Sequence, residues 1–333
     1  MSATISPAVS PTRPAAKKPT DHVPLVWVGF VLASLLALDL LNLTVWSITV
    51  PLAAAALWLV NTGWWRSPSI SLSGPLDRRD LAVIAALYLA VVGLWRLAFT
   101  VFSADRWVGL FLCFGGGMVL GVAVPVIYTV WLRRRPLAAL GLGLHRLRPT
   151  LALGLLFAGV QAVTMLWGYQ LPAPVDWVPL LVGALAVGLF EAIFFRGFIQ
   201  DRLEASVGTG PAVAVAAALY ALYHVGYGMG LRELGFLFAL GVVYALAYRL
   251  TSNILVLWPL LTPLGGWFNM LEAGDIHMPW AAILGFADVL GLMALVIWRA
   301  HKHQRRESGS PPGPRPPSHR RLGLVPTRRY SNQ

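Results

Sequence analysis

The stretch "VPLLVGALAVGLFEAIFFRGFIQ", residues 178–200, decides the fold class. It is almost wholly apolar, with Glu191 and Arg196 as its only charged residues. A run of this length crosses a hydrocarbon core about 30 Å thick. Backbone groups in lipid must find partners inside their own segment, so the run is read as a helix. Similar runs recur at about 24–41, 47–63, 81–102, 108–132, 151–169, 211–228, 235–250, 253–271 and 279–298. The whole chain is 57% hydrophobic and 12% charged over 333 residues, with a mean hydropathy of +0.67. A soluble domain of this size needs more charge to cover its surface. No alternation of period two marks a membrane barrel. The expectation is an all-α polytopic membrane helix bundle of about 8–10 transmembrane helices.

Orientation follows from the basic loops. Arg66, Arg78 and Arg79 follow the second crossing, and Arg133, Arg134, Arg135, Arg146 and Arg148 follow the fourth. The segments 170–177 and 271–278 carry only the acids Asp176, Glu272 and Asp275. Ten crossings put every arginine-rich loop on the side of both tails, so both termini are expected in the cytoplasm. The expected location is the plasma (cytoplasmic) membrane, as a multi-pass protein.

The net charge of +12 belongs mainly to the tails. From Arg299 onward nine Lys/Arg face one acid, Glu307, giving +8. Arg13, Lys17 and Lys18 against Asp21 give +2, leaving +2 for everything between. Such tails set topology and attract anionic membrane lipid. No aromatic residues interleave with the charge, so nucleic acid is not an expected partner. The single cysteine, Cys113, allows no intramolecular disulfide. The first crossing has no small-residue cleavage site after it and reads as a retained anchor. Arginine outnumbers lysine 23 to 3, a bias that suggests a GC-rich bacterial genome.

Composition divides the chain into a disordered basic N-terminal tail (1–22), N-terminal transmembrane helices (23–132) and a basic cytoplasmic loop (133–150). A membrane domain (151–298) with most of the embedded polar residues follows, then a Pro-rich basic tail (299–333). Gly117 and Gly121 have the spacing that lets helices approach closely.

An ionisable residue deep in a crossing costs a few kcal/mol, so each needs a reason. The candidates are Asp39, Arg96, Glu191, Arg196, His224 and Asp288. Asp39 and Arg96 are near enough to helix ends to snorkel, whereas Asp288 sits where it could pair with a buried cation. Glu191 and His224 fall on neighbouring crossings and could face one cavity. A carboxylate and an imidazole are the minimum for activating water. The same pair could instead form a buried hydrogen bond that fixes helix packing. Embedded Glu, His and Arg also line proton-coupled transport pathways, although no repeated pair of broken helices is visible.

"EAIFFRGFIQ" (191–200), followed by "LYALYH" (219–224), resembles the CPBP family of intramembrane proteases. That family includes type II CAAX prenyl endopeptidases and bacterial bacteriocin-processing and immunity proteins. Its pattern is E-E-x-x-x-R, usually then Gly, followed by F-x-x-x-H and a later H-x-x-x-N/D. Glu191, Arg196 and Gly197 match the first motif and His224 the second, with Tyr220 in place of Phe. The resemblance covers about 178–271. It implies an intramembrane endopeptidase, metalloprotease-like, that hydrolyses a peptide bond of a membrane-associated peptide or protein. Glu191 would activate water, His224 would be the oxyanion or metal partner, and Arg196 and Tyr220 would support the site.

The sequence departs from that pattern in two places. Ala192 stands where the second glutamate belongs. A glutamate there would lie on one helix face with Arg196. Glu191 and Arg196, five apart, would lie about 140° apart on an ideal α-helix, which leaves Asp201 or Asp288 as partners for the arginine. The third motif has lost its histidine: Thr262 and Pro263 occupy the place, and Asn269 is the remnant of the Asn. Zinc catalysis usually takes three protein ligands, and Glu191 with His224 supplies two. A catalytically inactive relative, acting as a membrane scaffold or immunity factor, is the alternative expectation.

Overall fold

A computed structural model describes residues 75–102, 107–143, 147–166, 177–259 and 280–309. All regular structure among these residues is helical. Helix α1 spans Arg78–Thr100. Helix α2 starts as Trp107–Met118 and continues to Leu132 through π-wound turns at Val119–Ala123 and Tyr128–Leu132. After a 3-10 turn at Leu137–Leu140 come α3 (Leu147–Leu166) and α4 (Trp177–Val207). Helices α5 (Thr209–Tyr223), α6 (Leu231–Thr251) and α7 (Trp280–Gly309) complete the described set.

Among the described residues, six helical stretches are long and apolar enough to cross a membrane: α1, Gly115–Leu132 of α2, α4, α5 with the turn that follows it (Thr209–Gly226), α6 and Ile283–Glu307 of α7. These fall on six of the expected crossings, and the fold is a polytopic helix bundle. The first two expected crossings, with Asp39, and most of the 253–271 crossing lie outside the described residues.

The chain's small residues explain the packing. Lipid tails are as apolar as leucine, so helices associate through close van der Waals contact, which small residues permit. A Cβ at Gly117 would overlap the Trp95 ring of α1, and one at Gly121 would overlap the Phe190 ring of α4. The two glycines therefore accept aromatic rings from two different helices. Helices α5 and α6 meet at Gly241, where a Cβ would lie 3.1 Å from Ala217 Cα and 3.1 Å from Tyr220 Cδ1. Trp95, Phe190, Phe194, Phe195, Phe198, Tyr220 and Tyr223 form a continuous buried aromatic wall.

A polar knot fixes the end of the bundle where α1 begins. Asp77 caps α1 by accepting from the Asp80 backbone N–H at 2.7 Å. The buried Asp80 accepts from Tyr128 at 2.7 Å and from Arg133 at 2.8 Å. The buried Arg202 of α4 brings its Nε to 4.0 Å from Asp80 and donates to Thr129 and to the Phe198 carbonyl. Beside the knot, Gln200 donates to Glu204 and to the Ala245 carbonyl, and Arg249 reaches Glu204 at 3.2 Å. Sequence reading missed this knot, because charges near helix ends look like topology signals.

Candidate active site

Glu191 closes the first α-helical part of α4, Trp177–Glu191. The next nine residues, Ala192–Gln200, are π-wound, with i→i+5 bonding that runs on to the Asp201 N–H, which donates to the Arg196 carbonyl. Winding of this kind takes more residues per turn than an α-helix, so residues five apart lie closer in angle than on an ideal α-helix. The angle between Glu191 and Arg196 is therefore smaller than the roughly 140° of an ideal α-helix, although no ion pair joins them. The two side chains turn toward the same neighbour, Tyr220 of α5.

Gly197 has a direct steric cause. A Cβ there would overlap the Leu140 carbonyl oxygen and lie 2.7 Å from its carbonyl carbon. The 3-10 turn before α3 packs on the bare backbone of α4, one residue after Arg196. Gly141 at the end of that turn has φ +70 and accepts from the Ile254 N–H at 3.1 Å. Asn253 donates to the Gly143 carbonyl at 2.8 Å, and Trp258 donates to the Leu185 carbonyl at 2.9 Å. The chain after α6 is thereby tied along α4 as far as Pro259.

Glu191 is buried, and its Oε1 accepts a short hydrogen bond from the Tyr223 hydroxyl of α5. Tyr220 and Arg196 also lie within electrostatic reach of the carboxylate, and Tyr244 of α6 lies near both charges. Arg196 is 1% exposed, and neither of its Nη atoms has a hydrogen-bond partner among the described residues. Its guanidinium carbon lies 5.2 Å from the centre of the Tyr220 ring, a cation–π arrangement. Neither Asp201 nor Asp288 reaches those Nη atoms, and Asp288 is exposed on α7. Arg96 is also exposed, on α1.

His224 caps α5 and opens the 3-10 turn His224–Tyr227. Its Nδ1 lies 2.9 Å from the Tyr220 carbonyl, and its ring centre lies 4.0 Å from that of Tyr223. A carbonyl can only accept, so Nδ1 carries a hydrogen. Glu191 and His224 are thus joined through Tyr223: one takes its hydroxyl, the other packs on its ring. Asn269, the third expected site residue, lies outside the described residues.

Among the described residues no group of three or more His, Cys, Asp or Glu side chains converges. Glu191 and His224 remain two ligands where a catalytic zinc usually takes three. Tyr223 and Tyr244 were the neighbours sequence reading undervalued. Tyr220, the site support that the resemblance implied, lies here against both Glu191 and Arg196. The signal for Tyr223 was its place one turn from Tyr220 and beside His224.

Residues 173–260 match the sequence profile of the family described as type II CAAX prenyl endopeptidase Rce1-like. Glu191, Arg196, Tyr220, Tyr223 and His224 all lie within that segment. No curated protein matches the chain, and no solved structure matches it.

Proposed function

We propose, from the premise that residues 173–260 make this chain a member of the CPBP family through its type II CAAX prenyl endopeptidase Rce1-like domain, that it is an intramembrane endopeptidase hydrolysing a peptide bond of a membrane-associated peptide or protein. The chain is a multi-pass membrane protein, and the cytoplasmic membrane of a bacterium is its proposed location. The observation that carries the reading is the buried Glu191 carboxylate, held by Tyr223 beside His224 and a buried arginine.

Glu191 is the general base. It takes a proton from water, and the resulting hydroxide adds to the scissile carbonyl carbon. The tetrahedral intermediate then collapses with cleavage of the C–N bond, and Glu191 returns the proton to the leaving amine. Tyr223 fixes the carboxylate through Oε1, leaving Oε2 for the water. His224, with Nδ1–H committed to the Tyr220 carbonyl, presents Nε2 to orient that water. Asn269 is a further candidate. Zinc remains only a proposal that would need a ligand beyond Glu191 and His224.

A second reading rests on Ala192, which is buried where the family has its second carboxylate. An inactive relative would keep the fold and bind a membrane partner without cleaving it.

The test uses the full chain in lipid vesicles with a farnesylated CAAX peptide and a library of membrane-inserted peptides, with products identified by mass spectrometry. Wild type should cleave at least one peptide, and Glu191→Gln should lower the rate by about 100-fold or more. The Tyr223 hydroxyl can still donate to the glutamine oxygen, so the variant should stay folded. Full cleavage by Glu191→Gln, or none by wild type, sinks the reading.

A further inference from the structure

Arg196 is the charged residue of the site that the mechanism above leaves unused. Its side chain is buried, its two Nη atoms lack hydrogen-bond partners among the described residues, and its guanidinium makes a cation–π contact with Tyr220. A buried guanidinium without partners is costly to keep, since an unsatisfied charged donor forfeits its full desolvation penalty. The π-wound turn nevertheless brings it to the side of Glu191, and no ion pair within 4.0 Å joins the two.

Among the described residues, few groups beside Glu191 are placed to donate to an oxyanion. Tyr223 donates to the carboxylate, and Nδ1 of His224 lies against the Tyr220 carbonyl. No histidine occurs between His224 and His277, so the chain has no third-motif histidine. Tyr244 could offer one neutral donor. Arg196 offers a planar fork of N–H groups with a permanent charge, and charged donors bond an oxyanion more strongly than neutral ones.

Resting on the endopeptidase reading, we propose that Arg196 is a catalytic residue whose Nη N–H groups bind the oxyanion of the tetrahedral intermediate. When hydroxide adds to the carbonyl carbon, the C=O π pair moves to oxygen, and that oxygen is held by the guanidinium. When the C–N bond breaks, the pair returns to re-form the carbonyl, and Arg196 is unchanged. Ala192 takes on a meaning here. A glutamate at 192, four residues before Arg196 on the same buried turn, would compete for its donors. Its absence leaves the fork available.

This leads to an expectation opposite to that of motif repair. Ala192→Glu, which restores the family pattern, should lower kcat by about 100- to 1,000-fold with KM within about twofold, the loss typical of an oxyanion donor. Its thermal midpoint should match or exceed that of wild type, because a buried cation has gained a partner. Arg196→Lys keeps the charge without the fork and should lower kcat at least about 10-fold at unchanged KM.

Both variants are assayed as the full chain in vesicles, on a peptide that wild type cleaves, beside Glu191→Gln. Should Ala192→Glu fail to fold, Arg196→Lys decides. Unchanged kcat in Arg196→Lys, or retained or raised kcat in a folded Ala192→Glu, overturns the proposal while an inactive Glu191→Gln leaves the endopeptidase reading standing. A fully active Glu191→Gln overturns that reading itself.

Discussion

The carbonyl of Leu140 lies so close over Gly197 that no Cβ fits between them. The contact is backbone against backbone, so no side chain can move aside to relieve it. Gly197→Ala must push the 3-10 turn off α4, and with it the Gly141–Ile254 hydrogen bond. Overpacking of this kind costs about 1–3 kcal/mol, and a backbone obstacle puts this site at the upper end. The expected outcome is a clearly lower thermal midpoint in detergent and reduced activity. An unchanged midpoint would mean that the turn does not rest on α4.

Tyr223→Phe separates the hydroxyl from the ring. The ring keeps its contacts with Phe195, Phe190 and His224, while Glu191 loses the donor to Oε1. Leaving a buried charged acceptor short of a partner costs about 1–3 kcal/mol. The carboxylate also becomes free to rotate away from the water, so kcat should fall about 10-fold or more, as for a misoriented general base. The conservative partner test is Tyr220→Phe, which keeps the backbone carbonyl that holds His224 and should cost less.

The polar knot makes a stability prediction remote from the chemistry. Asp80→Ala strands Arg202, which is fully buried and has Asp80 as its nearby counter-charge. Removing one partner of a buried pair typically costs about 3–5 kcal/mol. Arg133→Ala removes a half-buried guanidinium but leaves Asp80 its Tyr128 hydrogen bond and Arg202 as counter-charge, and should cost less. Comparing thermal midpoints of the two variants checks the ranking, and a larger loss in Arg133→Ala would reverse the assignment of the buried partner.

The bundle was legible in the sequence wherever an apolar run was long, as in α1, α4 and α6. The chemistry of Glu191, Arg196 and His224 was legible because charge in an apolar run is conspicuous. The π winding was not, since 3.6 residues per turn is assumed whenever spacing is converted to angle, and that assumption misplaced Arg196. Asp80 and Arg202 were hidden for another reason. At a helix end, charge that faces the cytoplasm and charge that is buried look the same in sequence, and only packing separates them. Gly197 was noted as part of a motif, but its cause lies 57 positions earlier, in the backbone of Leu140.

The α1 cap carries a pH dependence with a definite sign. The Asp77 carboxyl is held below the usual carboxylate range, first by the Asp80 backbone N–H and then by the Arg133 guanidinium. A carboxyl held lower in the folded chain than in the unfolded one adds stability that is fully present above the unfolded value. That value is about 4 for an aspartate. The contribution is lost as pH falls through the lower, folded value. The wild-type midpoint should therefore exceed that of Asp77→Ala by a constant margin near neutrality. The margin should shrink once the pH drops below about 4, where the unfolded aspartate binds its proton. Thermal scans of both proteins in detergent between neutral pH and about pH 3 read this directly, and the effect should be small, because Asp77 is half exposed and screened. A margin that grows on acidification would mean that the Arg133 contact, not the cap, is lost first, and that α1 begins without Asp77.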